Sequence, residues 1–303
     1  MRKYGYCLIF LLLTFIAGCT VREEPIVVQV DAKAAVIAEA KNGEVLYEKD
    51  PGKRYPPAST TKVMTAIVAI EKMSLNKYIK AGKKVSKVEP TVAGLEPGVK
   101  YRLKDLLAAI LIKSANDAAL AIAEGVAGSE EKFVRLMNTR ARKLGMDDTY
   151  FATPSGLPTG KKDSQYTTAR DLAKMMRYAR RYEIILELMA QKEADIYGSD
   201  GRKIHLKTHN KSLFWSDDAP WGKTGYTREA RRTFVGIDPS LKPRIVFSLL
   251  KSDDLWKDIT MLKNKGLELY ERKHRTFLSD LIDWISSQRR RGREALKLLY
   301  STT

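Results

Sequence analysis

Histidine and cysteine are the scarce residues of this 303-residue chain, with three of the first and two of the second. Three histidines leave little room for a histidine-based hydrolase, and no G-x-S-x-G elbow surrounds any serine. His205 and His209 fall in one strand-like run, where four residues span about 13 Å, too far to share a metal ion. They read as surface residues. Cys7 lies inside the N-terminal signal, which leaves Cys19 alone in the expected mature chain, so no disulfide framework is expected and the core must stabilise the fold unaided. Long apolar runs are also missing: Leu8 to Ala17 is too short for a comfortable membrane span. Acidic residues are few, 36 against 54 lysines and arginines, which leaves a net charge of +18. No nucleic-acid-binding module accompanies that excess, so anionic lipid or an anionic wall polymer is a better partner for it than nucleic acid. No internal repeat or low-complexity segment is present.

What is present begins with a targeting segment. Arg2 and Lys3 precede the apolar run, the pattern of a secretory signal over residues 1–18. It ends in Ile16-Ala17-Gly18-Cys19, which resembles the lipobox of bacterial lipoproteins and implies acylation of Cys19. A plain signal peptide cut at a small residue, or an uncleaved anchor, fits the same letters. The expected product is exported to the cell envelope, held on a membrane by a lipid, with residues 19–34 as a tether.

The remainder, 44% hydrophobic and 30% charged over the chain, suits one large domain with appendages. Asn42-Gly43 between Ala35–Ala38 and Glu44–Tyr47 predicts a hairpin. Thr60 to Met73 is apolar on nearly every face and predicts a buried helix. Leu103 to Ile112 and Ala118 to Glu124 predict two more, broken by the turn formers Lys113 to Asp117. Glu130 to Leu144 and Ala169 to about Arg180 read as amphipathic helices, the second capped by Thr168. The last third alternates strand and turn: Arg202 to Lys207, Trp221 to Tyr226, Thr233 to Ile237 and Arg244 to Leu250. A helix from about Asp254 to Arg272 follows. Helices inserted between an N-terminal hairpin and C-terminal strands define an α+β class.

The chemistry is organised around Ser59-Thr60-Thr61-Lys62. Pro56-Pro57 holds the approach extended, and Ser59 sits at the mouth of the buried helix, where unpaired N–H groups and the dipole favour negative charge. Lys62 lies one turn on, on the same face. A lysine in a dry pocket beside other cations can lose its proton near neutrality and accept one from Ser59. By itself S-x-x-K equally fits an ordinary helix cap. Ser114 and Asn116, two apart in a turn between helices, can point together into a cleft, or Asn116 can serve as a cap. Lys223-Thr224-Gly225 on a strand edge can pair with an extended peptide, supply positive charge and a carboxylate-holding hydroxyl, and leave room for the substrate backbone.

These three motifs, in this order, resemble the serine D-Ala-D-Ala carboxypeptidases of the low-molecular-mass penicillin-binding protein family. The likeness runs over roughly residues 33–273 and includes Pro56 to Thr65, Ser114 to Ala118, Leu157 to Leu172 and Asn210 to Trp215. It implies a β-lactamase/transpeptidase-like fold: an antiparallel sheet flanked by helices, plus a helical subdomain, occupying residues 35–275. It implies attack by Ser59 on the bond between the terminal D-alanines of a peptidoglycan stem peptide, with no metal or cofactor. Lys62 would accept the proton, Ser114 relay it, Asn116 position Lys62 and the substrate amide, and Lys223 add charge. Ser59 and Tyr226 would supply oxyanion N–H groups. Thr224 and Arg244 would hold the substrate carboxylate, although Arg244 reads equally as a solvated strand-edge residue. β-Lactam antibiotics would trap Ser59 as an ester.

The chain departs from the family pattern in places. Tyr226 stands where histidine is common, and Arg231-Arg232 where glycine and an apolar or aromatic residue are usual. The deacylating E-x-x-L-N segment of a class A β-lactamase is missing. A DD-endopeptidase of the same family, or a lipid-anchored binding protein without turnover, remains open. Residues 276–303, with apolar residues at helical spacing and Arg289-Arg290-Arg291, read as a basic amphipathic helix, lying on anionic membrane or packed on its own domain.

Overall fold

The computed structural model describes residues 25–160, 165–239 and 244–275. The signal segment, Cys19 and residues 276–303 lie outside them. A five-stranded antiparallel sheet is ordered β2-β1-β9-β8-β7. Its strands are β1 (Ala34–Glu39), β2 (Val45–Lys49), β7 (Trp221–Thr227), β8 (Arg231–Ile237) and β9 (Ile245–Ser252). The chain's first hairpin therefore sits beside its last strand, and β7 is left as an open edge.

Alternation along β1 explains the layers. Ala34, Val36 and Ala38 face a large helical core, whereas Ala35 and Ile37 face a second cluster. That second cluster holds Phe234, Ile245, Phe247 and Leu249 with Leu255, Ile259 and Leu262 of α7 (Leu255–Lys273). With both faces covered, β1 is buried at every position, which is why it reads as an unbroken apolar run. Gly266 lets α7 lie close to the sheet: a Cβ there would meet Ile245 at 2.7 Å and Ile37 at 2.9 Å.

The other face carries α1 (Thr61–Lys72), α2 (Leu103–Leu111), α3 (Asn116–Ala127), α4 (Glu130–Lys143), α5 (Ala169–Ala179) and α6 (Glu183–Ala190). α1 is buried continuously from Thr61 to Ala69, as its all-round apolarity predicts. Thr168 caps α5 by accepting from Asp171 N–H at 3.1 Å. Two short ribbons complete the fold: β3 (Tyr78–Lys80) with β4 (Lys100–Arg102), and β5 (Glu193–Tyr197) with β6 (Lys203–Lys207).

Three expectations change. The strand at Arg202–Lys207 pairs with β5 in its own ribbon instead of joining the main sheet. The end of the tether belongs to the fold: Val30 and Ala32 are buried. The Asp31 and Ala32 N–H groups donate at 2.8 Å to buried Asp258, which also accepts from Ser252 at 2.7 Å. Finally, the Pro-Pro approach is not extended throughout. Pro57 is already α-like, and Ala58 takes φ +49°, so the chain turns one residue earlier than expected.

Candidate active site

Ser59 projects from a single turn of 3₁₀-helix, Ala58–Thr60, that leads into α1. The left-handed Ala58 is a strained position for a residue with a side chain, and two hydroxyls secure it. Thr60 Oγ1 and Thr233 Oγ1 both donate to the Pro57 carbonyl, at 2.7 and 3.1 Å. The nucleophile's turn is thus tied to β8.

Lys62 is fully buried one turn along. Its Nζ lies 2.8 Å from Ser59 Oγ, 2.7 Å from Asn116 Oδ1 and 2.8 Å from the Ser155 carbonyl. The Asn116 amide orientation is set by Nδ2, which donates to the Glu89 carbonyl at 2.9 Å, so Oδ1 must face the lysine. Both Asn116 Oδ1 and the Ser155 carbonyl can only accept. A neutral amine has two N–H bonds and one lone pair. As lysinium, Nζ donates to all three oxygens; once neutral, with the two acceptors taking its N–H bonds, its lone pair faces the Ser59 hydroxyl. Burial, and then the nearby Lys223 charge, hold Lys62 well below the usual lysine value, partly opposed by Asp117.

Lys223 is buried on β7, and desolvation pushes its pKa down to about 7. Its Nζ donates to the Thr224 carbonyl at 2.7 Å. Gly225 follows, and it also has a packing role within the chain. A Cβ there would lie 2.4 Å from Thr233 Oγ1, 2.8 Å from Ser59 N and 3.1 Å from Ala58 Cβ. The missing side chain makes room for the nucleophile's own turn against β7.

Ser114 has φ +64°, a second strained non-glycine position at the site. Its hydroxyl lines the cleft, and among the described residues no hydrogen bond joins it to Lys62 or Lys223. Asn116 opens α3, and Asp117 beside it accepts from the N–H groups of Ala93, Gly94 and Leu95 at 2.8–3.0 Å. That clamp fixes the loop carrying Pro90 and Thr91 on the cleft rim. The opposite rim is the Thr153–Leu157 loop. Gln165 holds it through the Gly156 and Leu157 carbonyls, and a Cβ on Gly156 (φ +79°) would fall 1.9 Å from Ala58 O.

The cleft has a volume of about 600 Å³ and brings together Ser59, Ser114, Asn116, Thr224, Gly225 and Tyr226. Arg244 is not among them. It precedes β9 at the end paired with Glu39, where its guanidinium meets Glu271 at 2.8 Å. The position opposite Thr224 through Phe234 is Leu249, so Arg244 lies roughly 17 Å away along the sheet and two strands across. Arg232 lines the cleft instead, as does His209. His209 is exposed at the cleft edge, a surface position as read from the sequence, and partial desolvation with the charges of Lys223, Lys62, Lys113 and Lys211 pushes it down to about 4, so it is neutral there. His205 also lies at the surface, 2.9 Å from Asp195.

A serine hydroxyl 2.8 Å from the amine of a buried lysine, beside an open sheet edge, is the arrangement that serine acyl transfer requires. This is the class that the fold shares. The structure superposes on a penicillin-binding protein homologue from Mycobacterium tuberculosis with a TM-score of 0.75 and 31% identity, over 82% of this chain and 95% of the other. Residues 19–249 match the D-alanyl-D-alanine carboxypeptidase family, peptidase S11, and the chain belongs to that family of serine peptidases. It is 35% identical to carboxypeptidase DacF of Bacillus subtilis over 66% of this chain and 52% of DacF. With DacB2 of M. tuberculosis the identity is 34%, over 72% and 74% of the two chains. A D-alanyl-D-alanine endopeptidase of Pseudomonas aeruginosa is 28% identical over 70% of this chain. This chain spans about half the length of DacF.

Proposed function

We propose that this protein is a serine-type D-Ala-D-Ala carboxypeptidase that trims peptidoglycan stem peptides through an acyl-enzyme on Ser59. The observation that carries this reading is the position of buried Lys62 Nζ, 2.8 Å from Ser59 Oγ and held there by Asn116 Oδ1 and the Ser155 carbonyl.

In the first step the Ser59 proton passes to Lys62 Nζ as Oγ bonds to the carbonyl carbon between the two D-alanines. The N–H groups of Ser59 and Tyr226 receive the oxyanion, and one such donor is typically worth roughly 3 kcal/mol of barrier. Asn116 and the Ser155 carbonyl accept from the lysinium that forms. The C–N bond then breaks, and the proton on Lys62 reaches the departing amine through the Ser114 hydroxyl, which the cleft leaves free to rotate. Water attacks the ester carbon and gives a proton to Lys62, the C–Oγ bond breaks, and that proton passes to Ser59 Oγ as the shortened peptide leaves. Thr224 and the positive charge of Lys223 attract the substrate carboxylate. Penicillins are acyl donors of the same kind whose ester leaves slowly.

Export and lipid attachment at Cys19, followed by the short link into residue 30, are consistent with work in the cell envelope, with residues 276–303 as a second, basic contact to the membrane. Metabolic labelling with a fatty acid, lost in Cys19→Ser, tests the anchor.

Purified protein incubated with a stem pentapeptide is expected to release free D-alanine and to be labelled by a penicillin. Labelling without D-alanine release, but with loss of cross-linked dimers, would favour the endopeptidase reading that the Pseudomonas relative keeps in view. A protein that neither labels nor hydrolyses would be a binding protein that keeps only the fold.

A further inference from the structure

Arg231 and Arg232, the residues that most depart from the family pattern, have opposite fates. Arg231 adopts φ +54° and turns outward, placing Nε and Nη2 at 3.2 and 2.9 Å from Asp253 Oδ1. Arg232 lies opposite Tyr226 on β7, and its Nη1 donates to the Asp253 backbone carbonyl at 3.0 Å. One residue therefore holds both arginines, by its side chain and by its main chain. The sheet is irregular at the same place. Arg232 pairs with Ser252 and Phe234 with Leu249, so β9 spends one residue more than β8 there, and Lys251 takes φ +56°. A bulge of this kind re-aims the neighbouring side chains. The result is a guanidinium on the cleft wall beside Thr224, Tyr226, Thr227 and Leu255.

The charges around it favour an anion. Among the described residues no aspartate or glutamate lines the cleft, whereas Lys211 and Arg232 do, with Lys62 and Lys223 buried beneath. Only one of the five Arg232 N–H donors is taken by the Asp253 carbonyl, which leaves the planar fork able to meet a carboxylate in two-point fashion. Leu255 beside it offers an apolar contact for a small side chain. Arg244, the other arginine with a claim to this task, is remote and paired with Glu271.

We propose that Arg232 is a specificity-determining residue that reads a carboxylate of the substrate, the terminal α-carboxylate, and that the main-chain carbonyl of Asp253 positions it. This rests on the peptidase reading for the identity of the substrate, but binding can be measured without turnover. In Ser59→Ala protein, an N-acylated stem peptide ending in D-Ala-D-Ala is titrated alongside two analogues. One has a C-terminal carboxamide, and the other keeps the free terminus but has its upstream carboxylate amidated.

Arg232→Ala is expected to weaken the free-acid peptide on the order of tenfold or more, the loss of a charge-assisted pair. It should leave the weaker carboxamide peptide unchanged. Arg232→Lys should restore part of the loss, which a merely structural role would not predict. If the loss follows the upstream carboxylate instead, the assignment of Arg232 to the terminal α-carboxylate is overturned. Equal affinity of the parent and Arg232→Ala for all three peptides overturns the assignment, as does failure of every peptide to bind. In the protein with Ser59 intact, Arg232→Ala should raise KM for the free acid with kcat nearly unchanged. Asp253→Ala keeps the main-chain carbonyl that holds Arg232 and frees only Arg231, so it should leave KM near the parent value. Hydrolysis failing while Ser59→Ala still discriminates acid from carboxamide would refute the peptidase reading and leave Arg232 standing.

Discussion

Replacing Gly225 with alanine tests how the strand edge and the nucleophile are fitted together. The new methyl would sit 2.8 Å from Ser59 N and 2.4 Å from Thr233 Oγ1. Neither neighbour can yield freely. Ser59 N is backbone, and Thr233 Oγ1 is engaged with the Pro57 carbonyl at 3.1 Å. To reach ordinary van der Waals contact Ser59 must retreat by roughly half an ångström, which displaces a proposed oxyanion donor and the Oγ–Nζ contact together. Overpacking of this kind costs about 1–3 kcal/mol of stability, and a misplaced oxyanion donor costs on the order of 10²–10³ in rate. The assay is the rate of acylation by a fluorescent penicillin, measured on protein shown by thermal unfolding to be folded. Gly222→Ala is the control, since its Cβ would strike Phe234 at 2.4 Å and the Val235 carbonyl at 2.5 Å, away from Ser59. It should lower the melting temperature comparably while leaving acylation of the folded protein near the parent rate. If Gly225→Ala acylates within about threefold of the parent, the placement of Ser59 against β7 is wrong as a functional constraint.

Other expectations follow from the same geometry. Acylation should rise with pH through the depressed pKa of Lys62, because the neutral amine is the reactive form. A separate decline is expected above about pH 7, where Lys223 loses the charge that attracts a carboxylate, and Lys223→Met should remove that decline from the kcat/KM profile. The same lysine makes a stability statement. Its folded pKa lies below the unfolded value, so its unfavourable contribution is fully present below about pH 7 and fades as pH rises toward the unfolded lysine value, about 10.4. A denaturation series from pH 6 to 9 checks the sign against Lys223→Met. Asn116→Ala removes one of the two acceptors that orient Lys62 and should slow acylation of the folded protein on the order of 10²-fold, beyond a stability loss of about 1–3 kcal/mol from the stranded Lys62 and Glu89 groups. Asp117→Ala strands three backbone donors and should cost at least about 2 kcal/mol in chemical denaturation.

The architecture was legible where one local rule dominated. The all-round apolar run of α1, the Asn42-Gly43 turn with Gly43 at φ +82° and the Thr168 cap all fell where pattern and turn chemistry put them. The site was legible as three motifs because Ser59, Lys62, Asn116 and Lys223 act through side chains. What stayed hidden depends on register and main chain. The Ser155 carbonyl that completes the Lys62 shell has no side-chain signature, though the Pro154-Ser155-Gly156 turn marks a place where backbone comes close. Arg244 and Arg232 are both strand-edge arginines in the sequence, and only the pairing of β8 with β9 separates them. The place of His209 at the cleft edge was hidden because a strand-like run extended past Lys207 in sequence, whereas β6 ends there and the chain bends its next residues toward the cleft.

The central claim is that Ser59, activated by neutral Lys62, is the residue that becomes acylated. Mass spectrometry of the intact protein after brief exposure to benzylpenicillin, followed by peptide mapping, addresses it directly. The account predicts a single adduct of the antibiotic's mass on the peptide bearing Ser59, absent in Ser59→Ala and strongly slowed in Lys62→Met. An adduct on any other residue, or an unmodified protein at neutral pH, would contradict it.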